Sequence, residues 1–248
     1  MIRLEVIGGI ARLLIDQPLK RNAMSTAMFA QLPGLIAEAE GKKHVRAILL
    51  TSARAGMFCA GADIGELSAN ADNADWRAAN QNAINAAQHA LARADRPTVA
   101  FVDGDCVGGG CGLALACDIR VATVRARFAI TPAKLGLVYP LHDTKLLVDL
   151  VGPGQAKRIL FTGDLLSAEE ALRIGLIDLI ADHPDDLLSG ITANSLHSQR
   201  QSKLIVRRVL EGQADDDAET LAVFAEAFEG RDFAEGVAAF LGKRKAVF

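Results

Sequence analysis

The sequence predicts an α/β fold with parallel strand pairing and an all-helical C-terminal end, on three observations. Short runs of β-branched and aliphatic residues recur at 45–51, 98–102, 119–123 and 176–180. Helical apolar spacing fills the stretches between them, and parallel strands need such crossovers. From about residue 185 onward only helical spacing remains. Half of the 248 residues are apolar, enough to bury a substantial core.

Taken in order, residues 4–7 and 10–15 are apolar-rich runs joined by Gly8-Gly9, which predicts a β-hairpin with a two-residue turn. Ser25 is placed to cap a helix running through Met28, Leu32, Leu35 and Ile36, with Pro33 working against its middle. Residues 66–82, polar and rich in Ala and Asn, read as a mobile loop entering a helix that continues through Ile84, Ala87, Leu91 and Ala92. Pro97 stops that helix ahead of the strand at 98–102. A glycine-rich turn follows at 104–112, then a short helix at 113–117 and strands at 119–123 and 128–130. Helices are expected at 143–150 and 154–161. Ser167, with Glu170 three residues on, fits a capping box, and Gly175 ends that helix before a last strand at 176–180. The resulting division is an α/β core of residues 1–188 and a helical region of 189–248, with apolar positions at Leu221, Phe224, Phe228 and Phe240.

The formal charge of −3 argues against nucleic-acid binding, since no basic field attracts a phosphate backbone. The first six residues mix charges with apolar side chains and contain no signal-peptide core, and no apolar stretch is long enough to span a bilayer. A cytoplasmic protein without membrane partners is expected. Cys59, Cys106, Cys111 and Cys117 form no CxxC pair and have no His at zinc spacing, so they read as small buried thiols and no metal site is expected.

Two segments carry the chemistry. Phe58-Cys59-Ala60-Gly61-Ala62-Asp63-Ile64 follows one strand, and Val107-Gly108-Gly109-Gly110-Cys111-Gly112-Leu113 follows another. Small residues after a strand let backbone N–H groups approach a ligand closely. Two such turns side by side would make a two-donor hole for a developing oxyanion. Taken alone, either turn is more often tight packing than a site. Gly108-Gly109-Gly110 lacks the Lys-Ser/Thr of a P-loop, and no dinucleotide fingerprint is present.

These segments resemble the two oxyanion segments of the crotonase (enoyl-CoA hydratase/isomerase) superfamily. Lys20-Arg21-Asn22-Ala23, Phe161-Thr162-Gly163, Ala168-Glu169-Glu170-Ala171, Gly175-Leu176-Ile177 and Phe240-Leu241-Gly242-Lys243-Arg244-Lys245 resemble further family segments, in the family's order and over nearly the whole chain. The resemblance implies a spiral of ββα units and an acyl-CoA substrate, with coenzyme A as part of that substrate and no other cofactor. It implies that the N–H groups of Ala62 and Gly109 bind the thioester oxygen, and that Lys20, Ala60, Asp63 and Ile64 line the CoA channel. It further implies that Phe240 and Lys243 reach CoA, that of a neighbouring subunit, in a homotrimer or homohexamer. Read as single residues, Lys20 and Lys243 are solvated surface charges.

The chain departs from the family's hydratases at two positions. Gly112 and Ala133 stand where those enzymes carry the two Glu that hold and activate water. Standard two-Glu hydration is therefore placed in question. Thr131-Pro132-Ala133 through Tyr139 resembles the matching stretch of the superfamily's methylmalonyl-CoA decarboxylases, which makes Thr131 and Tyr139 candidates to orient a carboxylate or protonate an enolate. Thr131 reads equally as a turn cap and Tyr139 as a half-buried wall. Asp143 is a base or nucleophile if it projects into the pocket; the preferred reading is an N-cap for helix 143–150. His142 reads as a surface loop residue, Asp103 and Asp105 as turn formers around Gly104, and Asp118 as the end of the short helix. Three functions remain open: enoyl-CoA hydratase-like or isomerase-like action, decarboxylation of a malonyl-type CoA, and CoA binding without catalysis.

Overall fold

A computed structural model describes all 248 residues. Strands β1 (Ile2–Ile7) and β2 (Ile10–Ile15) pair antiparallel, with Ile7 opposite Ile10. Gly8 and Gly9 both hold positive φ, as a two-residue primed turn requires. Helix α1 (Thr26–Gly41) starts where Ser25 Oγ accepts from the Met28 N–H. Pro33 is carried inside it: the lost backbone bond is outweighed by a buried face of Met28, Phe29, Leu32, Ile36 and Ala39.

The chain then alternates between two sheets. Strands β3 (Ala47–Ser52), β5 (Thr98–Val102), β7 (Ile119–Ala122) and β10 (Leu179–Ile180) extend β1-β2 into a six-stranded sheet, parallel from β2 onward. Strands β4 (Met57–Cys59), β6 (Asp105–Val107), β8 (Arg127–Ala129) and β9 (Leu166–Ser167) form a second sheet of four. Successive pairs β3/β4, β5/β6 and β7/β8 place one strand in each sheet, so the chain climbs as a spiral of ββα turns. Helices α2 (Ile64–Ala69), α3 (Ala74–Ala92), α4 (Gly109–Leu115), α5 (Leu141–Thr162) and α6 (Ala168–Arg173) close these turns. Helices α7 (Asp185–Ala193), α8 (Leu196–Leu210), α9 (Ala218–Glu229) and α10 (Arg231–Leu241) complete the chain. No helix is long and apolar enough to cross a membrane.

Several expectations are corrected. Residues 66–82 are mostly helical, split between α2 and α3, with Asn73 capping α3 through the Trp76 N–H. Their polar composition reflects an exposed face, and Ala is the strongest helix former. The stretch 104–112 holds strand β6 and the start of α4; small residues allow both because this segment packs against backbone. The two helices expected after residue 140 are both present as the halves of α5, separated by the non-helical Gly152 (φ 72°), and the first starts earlier, at Leu141. Ser167 caps α6, but Glu170 turns away from the reciprocal bond and pairs with Arg158 and Arg173. The last strand is only Leu179–Ile180, because Leu176 and Ile177 are buried in the core ahead of it.

Asp103 does more than form a turn. Buried after β5, it accepts from the Gly56 N–H at 2.6 Å, from Thr123 Oγ1 at 2.9 Å, and from Arg125 Nε and Nη2 at 2.6 Å each. It thereby ties the β3–β4 loop to the turn after β7. These bonds, led by Arg125, hold its carboxyl down at about 2, below the ordinary 3.8. A depressed carboxyl contributes stability that is present above its unfolded value and lost as pH falls through the folded one. Asp103→Asn should therefore cost about 1–3 kcal/mol at pH 7 in urea unfolding. That deficit should shrink below pH 3.8 toward 2. Arg125 is largely exposed and water screens its share, so the effect rests mainly on the bonds from Thr123 and the Gly56 N–H.

Candidate active site

The loop after β4 is pinned on both sides of Ala62. The Met24 N–H donates to Gly61 O (2.7 Å) and the Asp63 N–H to Met24 O (2.9 Å), while the Ala62 N–H makes no hydrogen bond. Gly61 holds φ +103°, which side chains avoid. Cys59 Sγ, fully buried, donates to Asn22 O (3.1 Å) and accepts from the Gly61 N–H (3.4 Å). Asn22 braces the same loop, its Nδ2 donating to Phe58 O (3.0 Å) and Ser52 Oγ (2.8 Å).

The second loop lies against the first at backbone distance. Gly109 opens α4, so its N–H is one of the amides a helix cannot satisfy internally. A Cβ on Gly109 would stand 3.5 Å from the Ala62 nitrogen, and one on Gly61 would stand 3.7 Å from the Gly109 nitrogen. A Cβ on Gly110 would meet Cys59 Cβ at 2.7 Å. Gly61, by its φ and a 3.0 Å approach to Val107 O, and Gly110, by its contact with Cys59, admit no side chain, and the loops they shape bring the amides of Ala62 and Gly109 close together on separate segments.

The region beside Gly112 is filled from elsewhere. A Cβ there would come within 2.4 Å of Gln88 Nε2 and 2.6 Å of Asp143 Oδ1, with Tyr139 Oη at 3.4 Å. The glutamate position on α4 is thus closed by a carboxyl from α5 and an amide from α3. Asp143 is not the N-cap of α5; Pro140 takes that place, and Asp143, the third residue of the helix, is 2% exposed. The reason is that the helix starts two residues earlier than Asp143 and turns this side chain inward. Gln88 Nε2 donates to Asp143 Oδ1 at 2.6 Å, whereas Asp143 Oδ2 and Gln88 Oε1 are enclosed and unpartnered. Burial pushes the Asp143 carboxyl above its ordinary range, and the Gln88 bond and His142 oppose this only in part. Tyr139 Oη donates to Gly108 O at 3.4 Å. Burial, and then the Asp143 charge, push the phenol well above its usual range, so Tyr139 stays protonated.

Gln88 was not anticipated from the sequence. Its signal was there: a polar residue between Ala87 and Leu91, both on the buried face of α3. His142 is not a surface loop residue either; it lies half-buried in α5, its ring stacked on His89 with centroids 4.3 Å apart. Thr131 precedes a 3-10 turn, Pro132–Leu135, without capping it through its side chain, and Ala133 is exposed.

The other sequence candidates form two groups. The segment of Lys20 and Arg21 touches the loop that carries Ala60, Asp63 and Ile64. Lys20 Nζ meets Asp63 Oδ2 at 2.5 Å, and this bond holds the Asp63 carboxyl below its usual range. Asp63 also caps α2 through the Gly65 N–H (3.1 Å), the Ala60 N–H donates to Arg21 O (3.0 Å), and Ile64 is exposed. Phe240, 84% exposed, and Lys243, at the far end of α10, form no side-chain hydrogen bond or ion pair. Within one chain they are not tied to the other candidates.

Residues 5–248 match the family described as Enoyl-CoA hydratase/isomerase. The chain is 32% identical to the short-chain-enoyl-CoA hydratase of Clostridium acetobutylicum, over 98% of this chain and 95% of that protein. It is also 32% identical to the crotonyl-CoA hydratase of Syntrophomonas wolfei, over 100% of this chain and 97% of that one. Among solved structures, an enoyl-CoA hydratase/isomerase family protein from Hyphomonas neptunium superposes with a TM-score of 0.94 at 42% identity, covering 100% of this chain and 97% of that chain. An enoyl-CoA hydratase/carnithine racemase from Magnetospirillum magneticum superposes with a TM-score of 0.93 at 28% identity, covering 100% and 94%. Agreement of this extent, in sequence and in the alternation of strands between two sheets, leaves one conclusion: the chain belongs to the enoyl-CoA hydratase/isomerase family of the crotonase superfamily.

Proposed function

We propose that this acyl-CoA enzyme moves a proton next to the thioester carbonyl of an enoyl-CoA, with Asp143 as its single acid/base and the N–H groups of Ala62 and Gly109 as the oxyanion hole. One observation carries the reading: an enclosed carboxyl with a free oxygen occupies the space where a glutamate on α4 would project. In a 3-enoyl-CoA, Asp143 removes a proton from C2. The electron pair passes to the thioester oxygen as a dienolate, held by the two amides. The protonated Asp143 returns the proton to C4, giving the 2-enoyl-CoA with all atoms conserved. One carboxyl suffices for this exchange, whereas adding water calls for a second group. A carboxyl raised toward neutrality suits it, since a base works best when its pKa lies near the working pH.

A second reading rests on Tyr139. A phenol kept protonated beside the glycine loop is a donor able to orient a substrate carboxylate or deliver a proton to the enolate left by loss of CO₂. Decarboxylation of a malonyl-type CoA follows from it, with Thr131 as a further polar group. Lys20, Ala60, Asp63 and Ile64 are proposed to line the CoA channel, which requires Lys20 to exchange part of its bond with Asp63 for a phosphate. The helical region of 189–248 exposes Leu221, Phe224, Phe228 and Phe240, which supports assembly into a homotrimer or homohexamer with Phe240 and Lys243 meeting a neighbour's CoA. A CoA-binding protein without catalysis would have no use for an enclosed, free carboxyl oxygen.

Incubation with a 3-enoyl-CoA, crotonyl-CoA and methylmalonyl-CoA in parallel separates these readings. Interconversion of 3-enoyl and 2-enoyl thioesters that stops in Asp143→Asn supports proton shuttling. CO₂ release that stops in Tyr139→Phe and survives Asp143→Asn supports decarboxylation in its place. Binding without turnover on all three overturns both.

A further inference from the structure

A carboxyl acting at the thioester needs one of its oxygens aimed and the other held. We propose that Gln88 is the positioning residue: its Nε2–H holds Asp143 Oδ1, so that Oδ2 alone exchanges a proton with substrate. This rests on the assignment of Asp143 as acid/base.

The geometry supports a dedicated role. Gln88 is fully buried on α3, yet it makes no hydrogen bond along its own helix; its one side-chain bond crosses to α5, at 2.6 Å. A buried amide with an unpaired Oε1 is costly, so packing alone would favour Leu or Met at this position. The two oxygens of Asp143 are made unequal by the contact. Oδ1 is held by Gln88, and Oδ2 has no partner in the fold. Gly112 keeps the bond possible, because any Cβ there would strike both partners.

The charged and titratable groups around the pair are few. Tyr139 approaches from the segment before α5 with its hydroxyl favouring the ionised carboxyl, His142 directly precedes Asp143 on α5, and His89 of α3 is stacked on His142. From α4 the pair meets Gly112, which cannot titrate. Gln88 stabilises the ionised form of Asp143 by donating to it, and burial opposes ionisation. Loss of the donor should therefore move the Asp143 titration upward, a signature that a purely structural glutamine would not give.

The test is a carbon-13 NMR titration of aspartate side chains in the full-length protein, the Asp143 signal being assigned by its loss in Asp143→Asn. It is run on Gln88→Met, which fills the volume without a donor, and on Gln88→Asn, which withdraws the donor by one methylene. The Asp143 midpoint should rise in both. With a 3-enoyl-CoA as probe, kcat at pH 7 should fall about 10- to 100-fold with KM nearly unchanged, and its acid limb should move with the NMR midpoint. An unmoved midpoint overturns the proposal, even if turnover falls. Loss of fold in both variants also overturns it, since the bond would then serve the core. An Asp143→Asn protein with wild-type turnover sinks the acid/base assignment itself. An inactive Asp143→Asn beside unaffected Gln88 variants sinks only the positioning role.

Discussion

Replacing Asp143 with Asn should lower turnover of a 3-enoyl-CoA by about 10³-fold while making the protein more stable at neutral pH. The loss follows from the proposed role of Asp143 in taking and returning a proton, a contribution of ~10²–10⁴ in rate. The gain follows from linkage. Burial raises the Asp143 carboxyl above its unfolded value, so the folded state binds the proton more tightly than the unfolded chain does. Between the two values stability falls as pH rises, and above both the native protein carries a penalty for enclosing a charge. Asn carries no charge and so avoids that penalty. Thermal unfolding at pH 8 should show a higher Tm, by roughly 2–4 °C per kcal/mol recovered. At a pH below the ordinary carboxylate value the difference should vanish, because both proteins are then neutral at this position. Activity of the native enzyme should have an acid limb above the ordinary carboxyl value of 3.8. A variant that is both active and no more stable would show that Asp143 is only a core residue.

Writing the hydratase residue back at position 112 should fail. In Gly112→Glu the new Cβ alone falls 2.4 Å from Gln88 Nε2 and 2.6 Å from Asp143 Oδ1, before the carboxyl is placed. Overpacking of this kind costs about 1–3 kcal/mol, and a second carboxyl beside Asp143 adds charge repulsion. Urea unfolding should show the loss, and crotonyl-CoA hydration should not appear. Combining the change with Asp143→Ala and Gln88→Ala clears the space and should restore much of the lost stability. Recovery well beyond the sum of the separate effects is the coupling expected of residues that share one volume. If Gly112→Glu alone were as stable as the native protein, the steric account of this site would be wrong.

Much of the fold was legible because it depends on local signals. Gly8-Gly9, Ser25, Pro97 and Gly175 each mark a turn or an end by backbone chemistry that involves few neighbours. The two amide-bearing loops were legible for the same reason, since glycine-rich joints after strands are visible as such. What failed depends on long-range contact. Gln88 and Asp143 are 55 positions apart, and no periodicity announces that α3 and α5 bring them together. Asp143 was assigned to a cap because a helix start two residues earlier turns the side chain from the end of the helix to its inner face. Residues 66–82 read as a mobile loop entering a helix because an exposed helix and a loop share a polar composition. Ser167 and Glu170 had the spacing of a capping box, yet two arginines compete for the glutamate.

The four thiols bear on how the protein can be watched. All are buried, and burial pushes Cys59 and Cys117 up to about 12, so no thiolate is available to an alkylating reagent in the closed protein. Cys59 Sγ is held by the loop that carries Ala62, and Cys111 sits in the helix that begins with Gly109. Each therefore becomes reactive only when its own segment swings open. Pulsed labelling with iodoacetamide, resolved by peptide mass, would time the breathing of each of the two glycine-rich segments separately, using reporters the chain already contains.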